Sequence, residues 1–190
     1  MNHDAPSEWI VRFAHLLRAG ARVLDLASGA GRHARFLAAR GCEVLAVDRS
    51  AALLGPLADV PGITTQCVDL ESGPWPLHDQ RFDAIVVTNY LHRPVLPHLF
   101  AALAADGVLL YETFALGNGA FGKPSNPDFL LAPGELAASV AAVLTVVAFE
   151  QGEVRSASRR AVVQRLAAVG RARLWPPLLG PGDTMPSTLA

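Results

Sequence analysis

The chain predicts an α/β fold, a parallel sheet covered by helices on both faces, and three observations predict it. Short apolar runs at Val23–Leu26, Glu43–Asp48 and Phe82–Leu91 alternate with stretches of helical periodicity. The first run breaks at Gly29 and Gly31 before a helical pattern begins, which is a strand, tight turn, helix unit. With 190 residues, 51% of them hydrophobic, the chain is long enough to bury one sizeable core.

Each element has its own local reason. Trp9, Ile10, Phe13, Leu16 and Leu17 form one stripe of an amphipathic helix over Ser7–Leu17, expected to cover the sheet. After the strand Val23–Leu26, a helix over Arg32–Arg40 stops at Gly41. The strand Glu43–Asp48 leads to a helix over Ser50–Ala58, with Ser50 as N-cap. Ile63–Leu70 reads as a strand closing on Asp69, and Phe82–Leu91 as a buried strand with a polar end. Pro94 opens a helix that runs to Ala105 and stops before Asp106-Gly107, and the strand Val108–Phe114 follows. A helix over Pro133–Ala142 precedes two final strands, Leu144–Glu150 and Ala161–Ala168. The polar stretch between these strands is too short for a helical crossover, so they pair antiparallel. Gly170–Ala190 is rich in proline and glycine and lacks periodicity. It reads as a loosely attached tail, so residues 1–169 form a single domain and residues 170–190 an appendage.

Composition excludes several classes of function. A net charge of −1 gives no general attraction to nucleic acid. Arg155, Arg159, Arg160, Arg165, Arg171 and Arg173 make the C-terminal part locally basic, but no aromatic platform accompanies them, and a solvated hairpin face accounts for them. Cys42 and Cys67 have no CxxC pairing and no histidine cluster, so neither a metal site nor a disulfide framework is expected and a reducing cytoplasm fits. The first nine residues carry acids and no apolar core, unlike a signal peptide, and the longest apolar run, Leu136–Phe149, is too short to span a bilayer.

The glycine turn carries the chemistry. Gly29-Ala-Gly-Arg-His-Ala34 fits the GxGxxA form of the dinucleotide fingerprint, in which backbone N–H groups and a helix N-terminus take a pyrophosphate. Asp25, at the turn end of the strand, would repel that pyrophosphate and suits a cationic ligand instead.

The acid followed by Ala27-Ser-Gly-Ala-Gly31 resembles motif I of the class I S-adenosylmethionine-dependent methyltransferases, where an acid precedes a GxGxG loop. Alanine stands at the first glycine position, so Ala27 is expected to keep φ negative. The resemblance implies that Asp25, Ala27, Ser28, Gly29 and Gly31 hold the methionyl end of S-adenosylmethionine. It implies that Asp48, beside Arg49, takes the ribose hydroxyls and that Asp69, beside Leu70, takes the adenine amino group. Asn89 and Tyr90 would line the methyl-transfer site. These motifs occur in family order across residues 21–115, and the family's Rossmann-like sheet also ends in an antiparallel pair. The segment Asn89-Tyr-Leu-His-Arg-Pro94, together with residues 115–129, resembles a subgroup of small bacterial methyltransferases of the tellurite-resistance type.

The implied function is methyl transfer from S-adenosylmethionine to a small-molecule acceptor. Two alternatives stay open: a nicotinamide-dependent oxidoreductase, which needs Asp25 protonated or turned away from the phosphates, and a noncatalytic S-adenosylmethionine-binding protein. Glu112, in an apolar strand, and His92, after the fourth strand, are the candidates for proton transfer. His33 is expected to pack or cap. Residues 115–129 are long for a connection, contain three glycines, and follow the fifth strand at the ligand edge of such sheets, so a lid is expected there. The acceptor and the oligomeric state are not legible in the sequence.

Overall fold

The structure is a computed structural model that describes residues 5–156 and 159–177. Its strands are β1 (Arg22–Leu26), β2 (Glu43–Asp48), β3 (Ile63–Cys67), β4 (Phe82–Thr88), β5 (Leu103–Phe114), β6 (Leu144–Ser156) and β7 (Arg159–Gly170). They form one sheet in the order β3-β2-β1-β4-β5-β7-β6, with β7 antiparallel to both neighbours and the other pairings parallel. This is the expected doubly wound α/β sheet with its antiparallel C-terminal hairpin. The helices are α1 (Glu8–Phe13), α2 (Arg32–Ala38), α3 (Ala51–Leu54), α4 (Leu96–Ala102) and α5 (Glu135–Val140).

Strand parity divides the interior into two cores. Val23, Ala84, Val86, Val108 and Leu110 pack with Trp9, Ile10, Phe13 and Leu37 of α1 and α2. Leu24, Leu26, Ile85, Val87, Leu109 and Tyr111 pack on the other face with Leu96, Leu99, Leu136 and Val140 of α4 and α5. Because side chains alternate between faces, the odd positions of β1 and the even positions of β4 from Ala84 onward point to the α1/α2 side, while Phe82, before a register shift, packs on the other face. That parity decides where the polar residues at the carboxyl ends of the strands go.

Several boundaries differ from the sequence expectation, among them that of β3, which ends at Cys67 and leaves Asp69 and Leu70 in the loop beyond it. Pro56 ends α3 early, and a 3-10 turn at Gly55–Leu57 replaces the rest of the expected helix. A 3-10 turn at Arg93–Val95 leads into α4, which ends at Ala102; Leu103, extended at ψ 139°, already pairs with Phe82. Propensity favoured three more helical residues there, and strand pairing overrode it. Helix α5 starts at Glu135 because Gly134, at φ 74°, is its N-cap. The polar stretch after Glu150 continues the β6–β7 ladder, in which Glu153 faces Val162 and Arg155 faces Arg160. Charged residues suit a hairpin whose outer strand has no further neighbour.

Of the tail, residues 171–177 are described. The Ala172 N–H donates to the Ala105 carbonyl at 3.0 Å, and the Arg173 guanidinium donates to the Leu16 carbonyl at 2.6 Å, while Leu174 and Trp175 are exposed. The rest of the predicted tail, residues 178–190, lies outside the described residues. Among the described residues, no helix is long and apolar enough to cross a membrane, and no group of three or more His, Cys, Asp or Glu residues is placed to hold a metal ion.

Candidate functional site

A cleft of about 210 Å³ opens at the carboxyl edge of β1, β2, β3 and β4, lined by Ala27, Asp48, Arg49, Val68, Asp69, Leu70, Glu71 and Tyr90. Open parallel sheets bind ligands at this edge, where strand order reverses about β1 and β4. Six of the sequence candidates meet here: Ala27, Asp48, Arg49, Asp69, Leu70 and Tyr90.

Asp48 is the best oriented of them. It ends β2, and its two carboxylate oxygens accept from the Gly29 N–H at 2.8 Å and the Ser50 N–H at 2.9 Å. Gly29 therefore serves the cleft through Asp48 although it does not line it. Each oxygen retains acceptor capacity, since an ionised carboxylate offers about four lone-pair directions. Asp69 uses one oxygen to accept from the Glu71 N–H at 2.9 Å, forming a tight turn that brings Glu71 to the cleft wall. Neither Glu71 nor Val68 was a sequence candidate, and only their adjacency to Asp69 and Leu70 could have suggested them.

Tyr90 also lines the cleft. Its hydroxyl is buried without a hydrogen-bond partner among the described residues, as is the Ser28 hydroxyl on the glycine loop. Burial, followed by the nearby Glu71 and Asp69, pushes the Tyr90 phenol above its ordinary range, so it stays a neutral donor. The Tyr111 hydroxyl donates to the Tyr90 carbonyl at 2.9 Å and fixes this segment.

The alanine in the glycine loop overturns one expectation. Ala27 has φ 52°, in the left-handed region, rather than the negative value expected of a residue with a Cβ. Left-handed backbone costs an L-residue roughly 1–2 kcal/mol, and glycine adopts it freely at an unfolded-state cost of about 0.5–1 kcal/mol. Ala27→Gly is therefore expected to leave stability unchanged or raise it by up to about 1 kcal/mol. Thermal unfolding checks this, and a melting temperature that falls would mean that the Ala27 methyl is held by packing. Gly31, at φ 75°, is stricter, because a Cβ there would collide with the Leu57 side chain.

Asp25 does not line the cleft. Its parity is that of Val23, so it points to the α1/α2 face, where it is 1% exposed and accepts from the Ala34 N–H at 3.0 Å. Gly31 caps α2 with no side-chain bond, and Asp25 supplies the missing acceptor from the neighbouring strand. Burial, opposed by that N–H and by Arg32, raises its carboxyl to about 7 from 3.8. The folded protein holds the proton up to about pH 7 while the unfolded chain loses it near 3.8, so folding stability falls as pH rises across that window. Asp25→Asn has no proton to lose, so its stability relative to wild type should rise between about pH 4 and 7 and then level off. Urea unfolding at several pH values checks this, and parallel profiles for the two proteins would refute it.

Thr88 and Glu112, paired in register at the ends of β4 and β5, share the face of Asp25. The Ser7 N–H donates to His33 Nε2 at 3.1 Å, which leaves Nδ1 as the protonated nitrogen, 3.3 Å from Thr88 Oγ1. Burial holds the His33 imidazole down to about 3, so it is neutral, as its acceptor role requires. The Ser7 hydroxyl donates to Glu112 Oε2 at 3.0 Å, and the Arg165 guanidinium lies 2.9 Å from the same oxygen. Glu112, 3% exposed, is thus an ion-pair partner on the face away from the cleft. His92 is half-buried, precedes the 3-10 turn at Arg93–Val95 and does not line the cleft. Asn89 is exposed at φ 55°, with its N–H on the Glu112 carbonyl, and it too lies outside the lining.

Residues 23–107, from β1 into β5, match the family model of a methyltransferase domain. The chain is 28% identical over 156 residues to ribosomal RNA small subunit methyltransferase J of Yersinia pestis (strain Pestoides F), covering 76% of this chain and 58% of the relative. It therefore spans a little over half the length of that relative. In fold it is similar to TehB from Haemophilus influenzae, with a TM-score of 0.75 and 18% identity over 90% of this chain and 64% of that one. It is also similar to the 1,6-didemethyltoxoflavin-N1-methyltransferase of Burkholderia thailandensis, whose structure holds 1,6-didemethyltoxoflavin and S-adenosylhomocysteine, with a TM-score of 0.62 and 22% identity over 85% of this chain and 76% of that one. Residues 23–107 are thus similar to a methyltransferase domain, set in a sheet with an antiparallel end and a cleft at its carboxyl edge.

Proposed function

We propose that the chain binds S-adenosylmethionine in the cleft and transfers its methyl group to a small-molecule acceptor. The observation that carries this reading is the cleft itself: two carboxylates, Asp48 at the end of β2 and Asp69 just past the end of β3, pre-oriented by backbone N–H groups and accompanied by the unpartnered Tyr90 hydroxyl. These groups fit a ligand with a diol, an amino group and further hydrogen-bond acceptors. Asp48 would hold the ribose hydroxyls and Asp69 the adenine amino group, with Leu70 and Val68 supplying apolar contact. When bound, the cofactor supplies an activated methyl on a sulfonium.

The chain's own contribution is then positioning, which alone is able to supply roughly 7–11 kcal/mol of a transfer barrier. Among the described residues the cleft holds no histidine, and Glu112 is committed to Ser7 and Arg165. An acceptor atom that is already nucleophilic near neutral pH, such as a thiolate or a chalcogen oxyanion, needs no dedicated base, whereas one that needs a base would draw on the Glu71 carboxylate of the cleft wall. In this reading residues 1–169 are the methyltransferase unit and residues 170–190 an appendage.

The name of the Yersinia pestis relative suggests a second acceptor class, ribosomal RNA. A single assay separates the two: cofactor carrying a labelled methyl group, offered with a bacterial metabolite extract in one arm and with purified small ribosomal subunits in the other. Label in small molecules supports the proposal, and label in RNA replaces it with the second reading. A parallel calorimetric titration should show that S-adenosylhomocysteine binds and NAD does not. Binding of NAD alone would restore the oxidoreductase alternative. Binding of S-adenosylhomocysteine with no transfer in either arm would favour a noncatalytic binding protein.

A further inference from the structure

The connection from β5 to α5, expected from its length and glycines to be a lid, is tethered at three places. Its base is closed by the Leu116 N–H on the Leu131 carbonyl and the Leu131 N–H on the Phe114 carbonyl, at 2.9 and 3.0 Å. Its middle is fixed by Asn118, 2% exposed, which donates to the Pro124 carbonyl at 2.9 Å and accepts from the Val162 N–H of β7 at 3.1 Å. Its far end is held by Arg93. That guanidinium donates to both oxygens of Glu135, at 2.6 and 3.0 Å, to the Asp128 carbonyl at 2.7 Å and to the Leu130 carbonyl at 3.0 Å. Glu135 in turn accepts from the Ala132 N–H at 2.8 Å.

Arg93 lies three residues beyond Tyr90, on the short connector that leaves β4. One short segment thus carries a wall of the cofactor cleft at one end and grips the β5–α5 connection at the other. We propose that Arg93 is a positioning residue, holding residues 128–135 in fixed register with Tyr90 so that the wall met by the methyl acceptor is preformed beside the cleft. The proposal rests on the methyltransferase reading.

Its energetics separate it from a purely structural role. The side chains of Arg93 and Glu135 are 41% and 27% exposed, and ion pairs so close to water add little to global stability. The same geometry is demanding locally, because four donors of one planar fork reach two backbone carbonyls and a carboxylate at once. Lysine, with a single ammonium on a flexible stem, does not reproduce that fork.

The test compares Arg93→Ala, Arg93→Lys and Glu135→Gln with wild type. Hydrogen exchange over residues 116–135, calorimetric titration with S-adenosylhomocysteine and labelled methyl transfer into serial dilutions of a metabolite extract are measured for each. Arg93→Ala should lower the melting temperature by no more than about 2–4 °C. It should leave S-adenosylhomocysteine affinity within about twofold and speed exchange in 126–135 by about tenfold or more, the factor that a 1.4 kcal/mol local loss represents. Transfer should fall by a similar factor in dilute extract and recover in concentrated extract, a KM effect rather than a kcat effect. Arg93→Lys should recover little, and Glu135→Gln, which retains one acceptor for Arg93, should fall between.

Unchanged exchange and unchanged transfer in all three variants would overturn the proposal. So would a general loss of melting temperature together with cofactor binding, since that marks a structural residue. Wild-type protein that binds no S-adenosylhomocysteine would overturn the underlying methyltransferase reading first, a result the variants do not affect.

Discussion

Replacing Asp48 by alanine is expected to weaken S-adenosylhomocysteine binding by about ten- to a hundredfold, while the protein still folds. Hydrogen bonds to a charged group contribute about 1.5–3 kcal/mol each, and about 1.4 kcal/mol is a factor of ten in affinity. The carboxylate is held by the Gly29 and Ser50 N–H groups, so removing it costs twice over. The ribose hydroxyls lose their acceptor, and the glycine loop loses the bond that fixes it to the end of β2. Water replaces the carboxylate readily, because Asp48 is only half-buried, so the fold survives. Asp48→Asn should fall between, since it keeps one acceptor oxygen and has no charge. Calorimetry on the three proteins decides the matter, and equal affinity in wild type and Asp48→Ala would remove Asp48 from the cofactor site.

Glu112→Ala should act through stability and leave cofactor affinity nearly unchanged. Breaking a buried ion pair by removing one member costs about 3–5 kcal/mol, because the partner charge is left in the interior. Arg165 is 19% exposed in its side chain and has a second carboxylate, Glu150, at 3.8 Å, so a loss near about 3 kcal/mol is expected. For a domain of this size that is a fall of about 6–12 °C in melting temperature. The Ser7 hydroxyl also loses its acceptor, which loosens the start of α1. Thermal unfolding together with methyl transfer separates the two roles open to Glu112. A stable variant that binds cofactor and transfers no methyl would make Glu112 a catalytic residue after all.

The fate of Asp25 alters the case against a nicotinamide cofactor. A carboxylate facing the loop would repel a pyrophosphate, but this one points to α2 and holds its proton up to about pH 7. Exclusion of the oxidoreductase reading therefore moves to other features: the methyltransferase-domain match, Asp69 on the cleft wall and the antiparallel end of the sheet.

The sequence alone determined what depends on neighbours along the chain. Apolar runs set the strands, glycines set the turn after β1, and the short polar stretch after Glu150 forced an antiparallel pair. The acids near that turn were legible for the same reason: a parallel strand delivers its carboxyl end to the ligand edge, which brings Asp48, the last residue of β2, and Asp69, two residues past the end of β3, to the cleft. Side-chain direction in β1 was not legible. Val23, Leu24 and Leu26 are all apolar because both faces are covered, so no alternation showed which parity meets which helices, and Asp25 fell on the unexpected side. Helix ends were misplaced where pairing outweighed propensity, as at Leu103. Partnerships across the chain were equally hidden. Glu112 finds Ser7 and Arg165, and Arg93 finds Glu135, only after the sheet has ordered its strands. A charged residue in an apolar strand announces that a partner exists, but the tertiary structure alone chooses it, since desolvation is offset by whichever opposite charge the fold brings within a few ångströms.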